Sequence, residues 1–236
     1  MYIKTSTFRI LIIVFSIICG NYGFTQALLQ TYQLQNGLTI ILSPIESVQS
    51  VSVFTYIKTG VRDDLVKFKG ASTLFKNIRQ NSATRNFSYL EGLFSTRNKG
   101  GIIGSKVEYD YSYFYQIVSA EDIDIALMLE AERFKFLKIN KRNFQIQKKR
   151  HIERLNRLIK YNAYYNSYLW ANSKLFANSV YQYPLMGERD KMINLSFEDF
   201  KSVYERYSDP GLTTLVIVGK FKTVYLKKKS QSISLI

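Results

Sequence analysis

The chain has 236 residues, 46% of them hydrophobic and 15% aromatic, which suffices for a real core and excludes an intrinsically disordered segment. Its formal charge is +15, but the lysines and arginines are dispersed and cluster only at KINKR, QKKRHIER and LKKK, so no dedicated nucleic-acid surface is expected. A basic surface of this kind suits anionic membranes or acidic peptides.

Residues 1–27 have the layout of a secretory signal peptide. Lys4 and Arg9 precede an apolar run from Ile10 to Cys19, and Thr25-x-Ala27 suits signal peptidase. The expectation is a mature start near Leu28 in a secreted, periplasmic protein, with a retained N-terminal anchor as the alternative. The run is too short for a stable membrane span. Lipidation of Cys19 is disfavoured, because Ile18 stands where a small residue is needed. Cleavage lowers the charge to +13 by removing Lys4 and Arg9, and it removes the single cysteine, so the mature chain has neither disulfide nor thiolate chemistry.

The segment TYQLQNGLTIILSP alternates around the turn dipeptide Asn36-Gly37 and predicts a hairpin-like strand pair; SVSVFTYIKTG predicts a second, more buried strand. GASTLFKNIRQ, Gly70 to Gln80, predicts a short helix with Ala71, Leu74, Phe75 and Ile78 on its buried face, while Thr73, Lys76 and Asn77 fall on a neighbouring face. A further short helix is expected before Gly100-Gly101, where the chain turns. SKVEYDYSYFYQIVS alternates over many residues and predicts a strand.

Ser119 and Asp122 have N-cap spacing and open a helix through roughly Leu137. Lys141 to Tyr161 is helical and strongly charged, and AYYNSYLWANSKLFANSV continues as an aromatic helix. Ser196 and Asp199 repeat the cap signature before FKSVYERY, which Asp209-Pro210-Gly211 ends. LTTLVIVG is a continuous apolar run and predicts a buried strand. The order lacks regular βαβ alternation and predicts an α+β fold with helices on one face of a mixed or antiparallel sheet.

With this order in place, the chain resembles the N-terminal domain of the M16 zinc metallopeptidases, the pitrilysin, insulinase and mitochondrial processing peptidase group. The resemblance runs through LQNGLTIILSP, GVRDD and GGIIGSKVEYDYSYFYQIVSAEDIDIALMLEAERF. It closes in YQYPLMGERDKMINLSFEDFKSVYERYSDPGLTTLVIVGKF. It implies a LuxS/MPP-like metallohydrolase domain over residues 28–236, taken as a single domain with the family's second domain absent.

In that family an H-x-x-E-H helix supplies two zinc-binding histidines and a glutamate general base. Laid over this sequence, those positions fall on Thr73, Lys76 and Asn77. The third ligand, a glutamate, falls on Arg154 or Leu155, with Glu153 the nearest carboxylate. Thr73 and Asn77 offer weak neutral oxygens and Lys76 is a cation, so no catalytic residue and no zinc are expected, although zinc is the family's cofactor.

His151, in a basic helical run, is expected to be exposed or partly packed. Asp63-Asp64 reads as solvated or capping groups, and Glu121, Asp122 and Asp124 read as acids at a helix start. Gly100-Gly101 lacks a phosphate-loop pattern. The resemblance places a peptide-binding edge at Gly101, Ile102, Ile103, Gly104, Ser105, Lys106 and Val107, with Gly104-Ser105 replacing the family's usual Asn-Ala pair. An ordinary edge strand kept soluble by Lys99 and Lys106 is the plain alternative. The function expected is an exported domain, inactive by itself, that partners a homologous zinc-bearing M16 subunit or a missing C-terminal half and contacts peptide substrate. A divergent active metalloendopeptidase and a truncated remnant are the alternatives.

Overall fold

The computed structural model describes residues 29–234, so the signal-peptide residues and the expected mature start lie outside the described residues. Six strands form one sheet: β1 Gln30–Gln33, β2 Thr39–Pro44, β3 Ser50–Ile57, β4 Ile102–Val107, β5 Ser112–Ser119 and β6 Thr213–Gly219. Their order is β1-β2-β6-β3-β5-β4, with β2 and β6 parallel and the other neighbours antiparallel. The late strand β6 thus inserts between two early ones. The fold is α+β with a mixed sheet, as the sequence predicts.

The helices are α1 Ala71–Asn81, α2 Tyr89–Arg97, α3 Ile123–Lys135, α4 Lys141–Tyr161, α5 Ala163–Leu175, α6 Arg189–Asn194, α7 Phe197–Tyr207 and α8 Thr223–Ser234. Strand alternation turns Val51, Val53, Ile57, Phe114, Val118, Leu215 and Ile217 toward the helices. One core cluster joins β2, β3 and β6 to α3 and to Leu226 of α8. The other joins Ile57 and Phe114 to α1, α4, α6 and α7. On the opposite sheet face Phe54, Tyr56, Tyr113 and Tyr115 stay half-buried, their rings stacking in the pairs Phe54–Tyr113 and Phe54–Tyr115 at 5.0 and 6.4 Å.

Five expectations are corrected. The single strand predicted over SKVEYDYSYFYQIVS is a hairpin, the end of β4 and all of β5 joined by a turn at 108–111. β6 is not buried on both faces despite its unbroken apolar run, because its alternate residues join the half-open aromatic face. The Ser119 cap does not form. A 3-10 turn at Ala120–Asp122 intervenes, and the Ser119 hydroxyl donates to the Asp122 carboxylate at 2.8 Å instead of accepting a backbone N–H. The charged and aromatic helices are separate, since Asn162 takes extended backbone angles and its side chain accepts the Tyr165 N–H at 2.9 Å. Finally, α8 has no counterpart in the sequence reading. It is held by Leu226 in the core and by Tyr225, whose hydroxyl donates to Asp124 of α3 at 2.7 Å.

Candidate functional site

Helix α1 forms where the sequence places it, with Ala71, Leu74, Phe75 and Ile78 fully or almost fully buried. Its N-terminus is capped from outside the helix. The Asp64 carboxylate accepts the Gly70 N–H at 2.9 Å, the Ser72 N–H at 3.2 Å and the Ser72 hydroxyl at 2.9 Å. Burial nevertheless pushes the Asp64 carboxyl up to about 6. Asp63 accepts the Gly60 N–H at 3.0 Å and faces Arg206 at 3.3 Å. The adjacent acids are therefore capping groups, and Asp64 is buried rather than solvated.

The segment Tyr183–Gly187 lies against the first turns of α1. Gly70 and Gly187 both have positive φ, +97° and +79°, and meet backbone to backbone: a Cβ on Gly187 would lie 2.2 Å from the Lys69 carbonyl oxygen. Two side chains then pin the segment. The Thr73 hydroxyl donates to the Leu185 carbonyl at 2.6 Å, and His151 Nε2 donates to the Met186 carbonyl at 2.8 Å.

Because Nε2 must carry the proton, Nδ1 is the acceptor, and it faces the Asn77 amide nitrogen at 3.4 Å. His151 is only 1% exposed. The expectation of an exposed or partly packed histidine is overturned: Phe144, Gln147, His151 and Leu155 share the buried face of α4, so a basic run turns a single neutral imidazole inward. Burial, aided by the charges of Lys76 and Arg154, pushes His151 down to about 4.

The same segment is held from its other side by residues the sequence reading missed. Tyr109, in the β4–β5 turn, donates its hydroxyl to the Tyr183 carbonyl at 3.0 Å and accepts from the Asn172 amide of α5 at 3.1 Å. Asp110 accepts from the Tyr181 hydroxyl at 2.8 Å and from Arg62 at 2.9 Å. The clue was present in the aromatic and Asn content of YDYSYF and YNSYLWANS, but the pairing joins residues 63 to 74 positions apart, which periodicity does not report.

Lys76 is half-buried on α1, which packs against α4. Burial lowers the pKa of its ammonium, and Arg154 lowers it further. Arg154 and Glu153 are exposed on α4. The structure thus brings Thr73, Asn77 and His151 together around one loop, sets Lys76 and Arg154 beside them, and leaves Glu153 turned out.

Strand β4 pairs only with β5 and is an edge of the sheet, beside α1 and α2. Ile102 and Lys106 are exposed, Gly101, Ile103, Gly104 and Ser105 are half-buried, and Val107 is buried. Gly104 is opposite Tyr115, whose ring lies across it at 2.5 Å from where a Cβ would stand. Ser105 is opposite Phe114, toward the helices. Lys106 pairs with Glu108, and Lys99 with Asp122.

No family model matches the sequence, and no curated protein matches it. Solved structures do. A protease from Helicobacter pylori superposes with a TM-score of 0.80 at 18% identity, over 86% of this chain and 49% of that one. The periplasmic protease PqqL from Escherichia coli gives 0.74 at 16% identity, over 87% of this chain and 23% of that one. An inactive M16 peptidase domain from Pseudomonas fluorescens gives 0.74 at 13% identity, over 88% of this chain and 50% of that one.

The chain has the M16-like peptidase fold. It spans about half the length of the first and third of these structures and under a quarter of the second. In the M16-like frame the positions that the sequence resemblance assigns to zinc chemistry do not fit the ion. Catalytic zinc takes three imidazole, thiolate or carboxylate ligands. Here the Thr73 hydroxyl is engaged with a carbonyl, Lys76 is a cation, and His151 uses both ring nitrogens. Among the described residues no group of three or more His, Cys, Asp or Glu side chains stands where it could hold a metal.

Proposed function

We propose that this chain is an exported M16-like domain that is catalytically inactive by itself and serves a zinc-bearing homologous subunit or half as a peptide-holding partner. The observation that carries the reading is the use made of the motif positions. Thr73 spends its hydroxyl on the Leu185 carbonyl, and Asn77 faces His151 of α4, which holds the Met186 carbonyl, so the helix that would carry the zinc chemistry has become a support for a loop. The β4 edge beside it keeps unpaired backbone groups suited to strand addition by an extended peptide. Gly101 to Val107 is the contact segment.

Two further observations support a partner. The solved relatives are about twice this chain's length or more, and the aromatic sheet face of Phe54, Tyr56, Tyr113 and Tyr115 is an apolar surface of the kind an interface buries. Export is supported by the layout of residues 1–27 and by the periplasmic location of the neighbour PqqL. No helix among the described residues is long and apolar enough to cross a membrane.

The test is zinc content and peptide hydrolysis of the purified exported chain, measured with and without added zinc. The expected result is no stoichiometric tightly held zinc and no turnover. Stoichiometric zinc that is lost on His151→Ala or Glu153→Gln, together with hydrolysis, overturns inactivity in favour of the divergent enzyme. Co-purification from native extract is expected to recover a zinc-bearing M16 homologue, and repeated failure to recover one overturns the partner role.

A further inference from the structure

The buried and half-buried lysines of this protein are treated alike, with one exception. Lys69 donates to the Val61 and Arg62 carbonyls at 3.0 and 2.9 Å, and Lys148 to the Ile193 and Leu195 carbonyls at 2.6 and 2.7 Å. Lys191 pairs with Glu188, Lys229 with Asp124, and Lys220 donates to Gln49 at 2.9 Å. Among the described residues, Lys76 is the only one of this set that has neither a hydrogen bond nor an ion pair. Its neighbouring charge is Arg154, of the same sign and likewise without an acidic partner among the described residues. Glu153, next along α4, pairs with neither.

We infer that Lys76 and Arg154 form a carboxylate-binding site, which makes the peptides held along the β4 edge acidic ones. This rests on the peptide-holding role proposed above and names its substrate class. Desolvating an ammonium beside a guanidinium costs stability, and a bound carboxylate offsets that cost by pairing with the two cations at once. The placement fits, because α1 packs beside β4 as well as α4, so a strand added to that edge runs past the helix that bears Lys76. The donors nearby are already committed: Asn77 to His151 and Thr73 to Leu185, which leaves Lys76 and Arg154 as the free ones. The basic overall charge adds steering toward an acidic ligand but no local selectivity.

The experiment uses the exported chain and three labelled peptides of equal length. One is amidated with a central Glu-Asp-Glu; one is amidated with Gln-Asn-Gln; one has Gln-Asn-Gln and a free C-terminus. Fluorescence anisotropy is expected to show the acidic peptide binding about tenfold more tightly than the neutral amidated one. Lys76→Met is expected to bring the two close to parity while its Tm stays equal or rises. Arg154→Ala narrows the gap less, and Lys222→Met, which removes one exposed charge elsewhere, leaves it intact. Tight binding of the third peptide supports the site and assigns the terminal carboxylate as its source. Equal binding of all three peptides, or loss of preference in Lys222→Met as great as in Lys76→Met, overturns the carboxylate site while leaving the peptide edge standing. Binding of none overturns both.

Discussion

Helix α1 carries two polar sites about one turn apart, and they are built on opposite principles. At Arg79 the polar groups close on each other. The Glu130 carboxylate accepts from Arg79 at 2.8 Å, from the Thr55 hydroxyl at 2.6 Å and from the Gln116 amide at 3.0 Å, with Arg133 at 3.4 Å. Burial works to raise the Glu130 carboxyl, but the two guanidinium groups outweigh it and hold it well below the usual range. At Lys76 nothing closes: among the described residues the cation has no acceptor, and a like charge lies beside it. A network that only stabilises leaves no valence free, whereas the Lys76 end spends Thr73 and His151 on structure and keeps its cations open.

That contrast is broken most severely at Glu130. Glu130→Gln leaves two arginines buried without a counter-charge, and urea denaturation is expected to show a loss of about 3–5 kcal/mol. A loss below about 1 kcal/mol would mean that the network is not the closed one described.

The pH profile divides the molecule differently. The Asp64 carboxyl is raised in the fold, so the folded protein binds the extra proton and stability falls as pH rises from about 4 to about 6. The His151 imidazole is depressed, so stability is present above about 6.5 and is lost as pH falls toward about 4. Each effect is worth on the order of 3 kcal/mol, and between pH 4 and 6 they oppose. Thermal melts across this range are expected to show that Asp64→Asn makes stability climb more steeply with pH than the parent, while His151→Gln makes it decline. Parallel profiles for all three proteins would refute the assignment.

The smallest effects sharpen the comparison within the site. Thr73→Val removes the donor to Leu185 and leaves a carbonyl short of a partner, an expected loss of about 1 kcal/mol in denaturant melts. Lys76→Met, one turn away, is expected to lose nothing. Equal losses at the two positions would show that Lys76 has a structural partner after all.

How much of this was legible in the sequence differs from residue to residue. Leu74, Phe75 and Ile78 announced α1 because a 3.6-residue period of apolar side chains is a local property. The hairpin around Asn36-Gly37 and the Ser196 cap, whose hydroxyl accepts the Asp199 N–H at 3.0 Å, are local too. Ser88 and Glu91 form a full capping box that the sequence reading passed over, although its S-x-x-E spacing stood in view. Ser119 shows the converse. It has the cap spacing but no cap, because the turn that follows it leads the two side chains to bond each other.

The amino-acid sequence by itself determined the α+β class, the positions of most strands and helices, and the chemical poverty of Thr73, Lys76 and Asn77 toward zinc. Those follow from side-chain identity and near-neighbour spacing. Only the tertiary structure decided that β6 enters between β2 and β3, that β4 is left as an edge, and that His151 turns inward to hold Met186. It alone decided that Lys76 is left without a partner among the described residues. Each of these depends on which distant segments share the limited buried space, and burial sets both the cost of a charge and the partners within its reach.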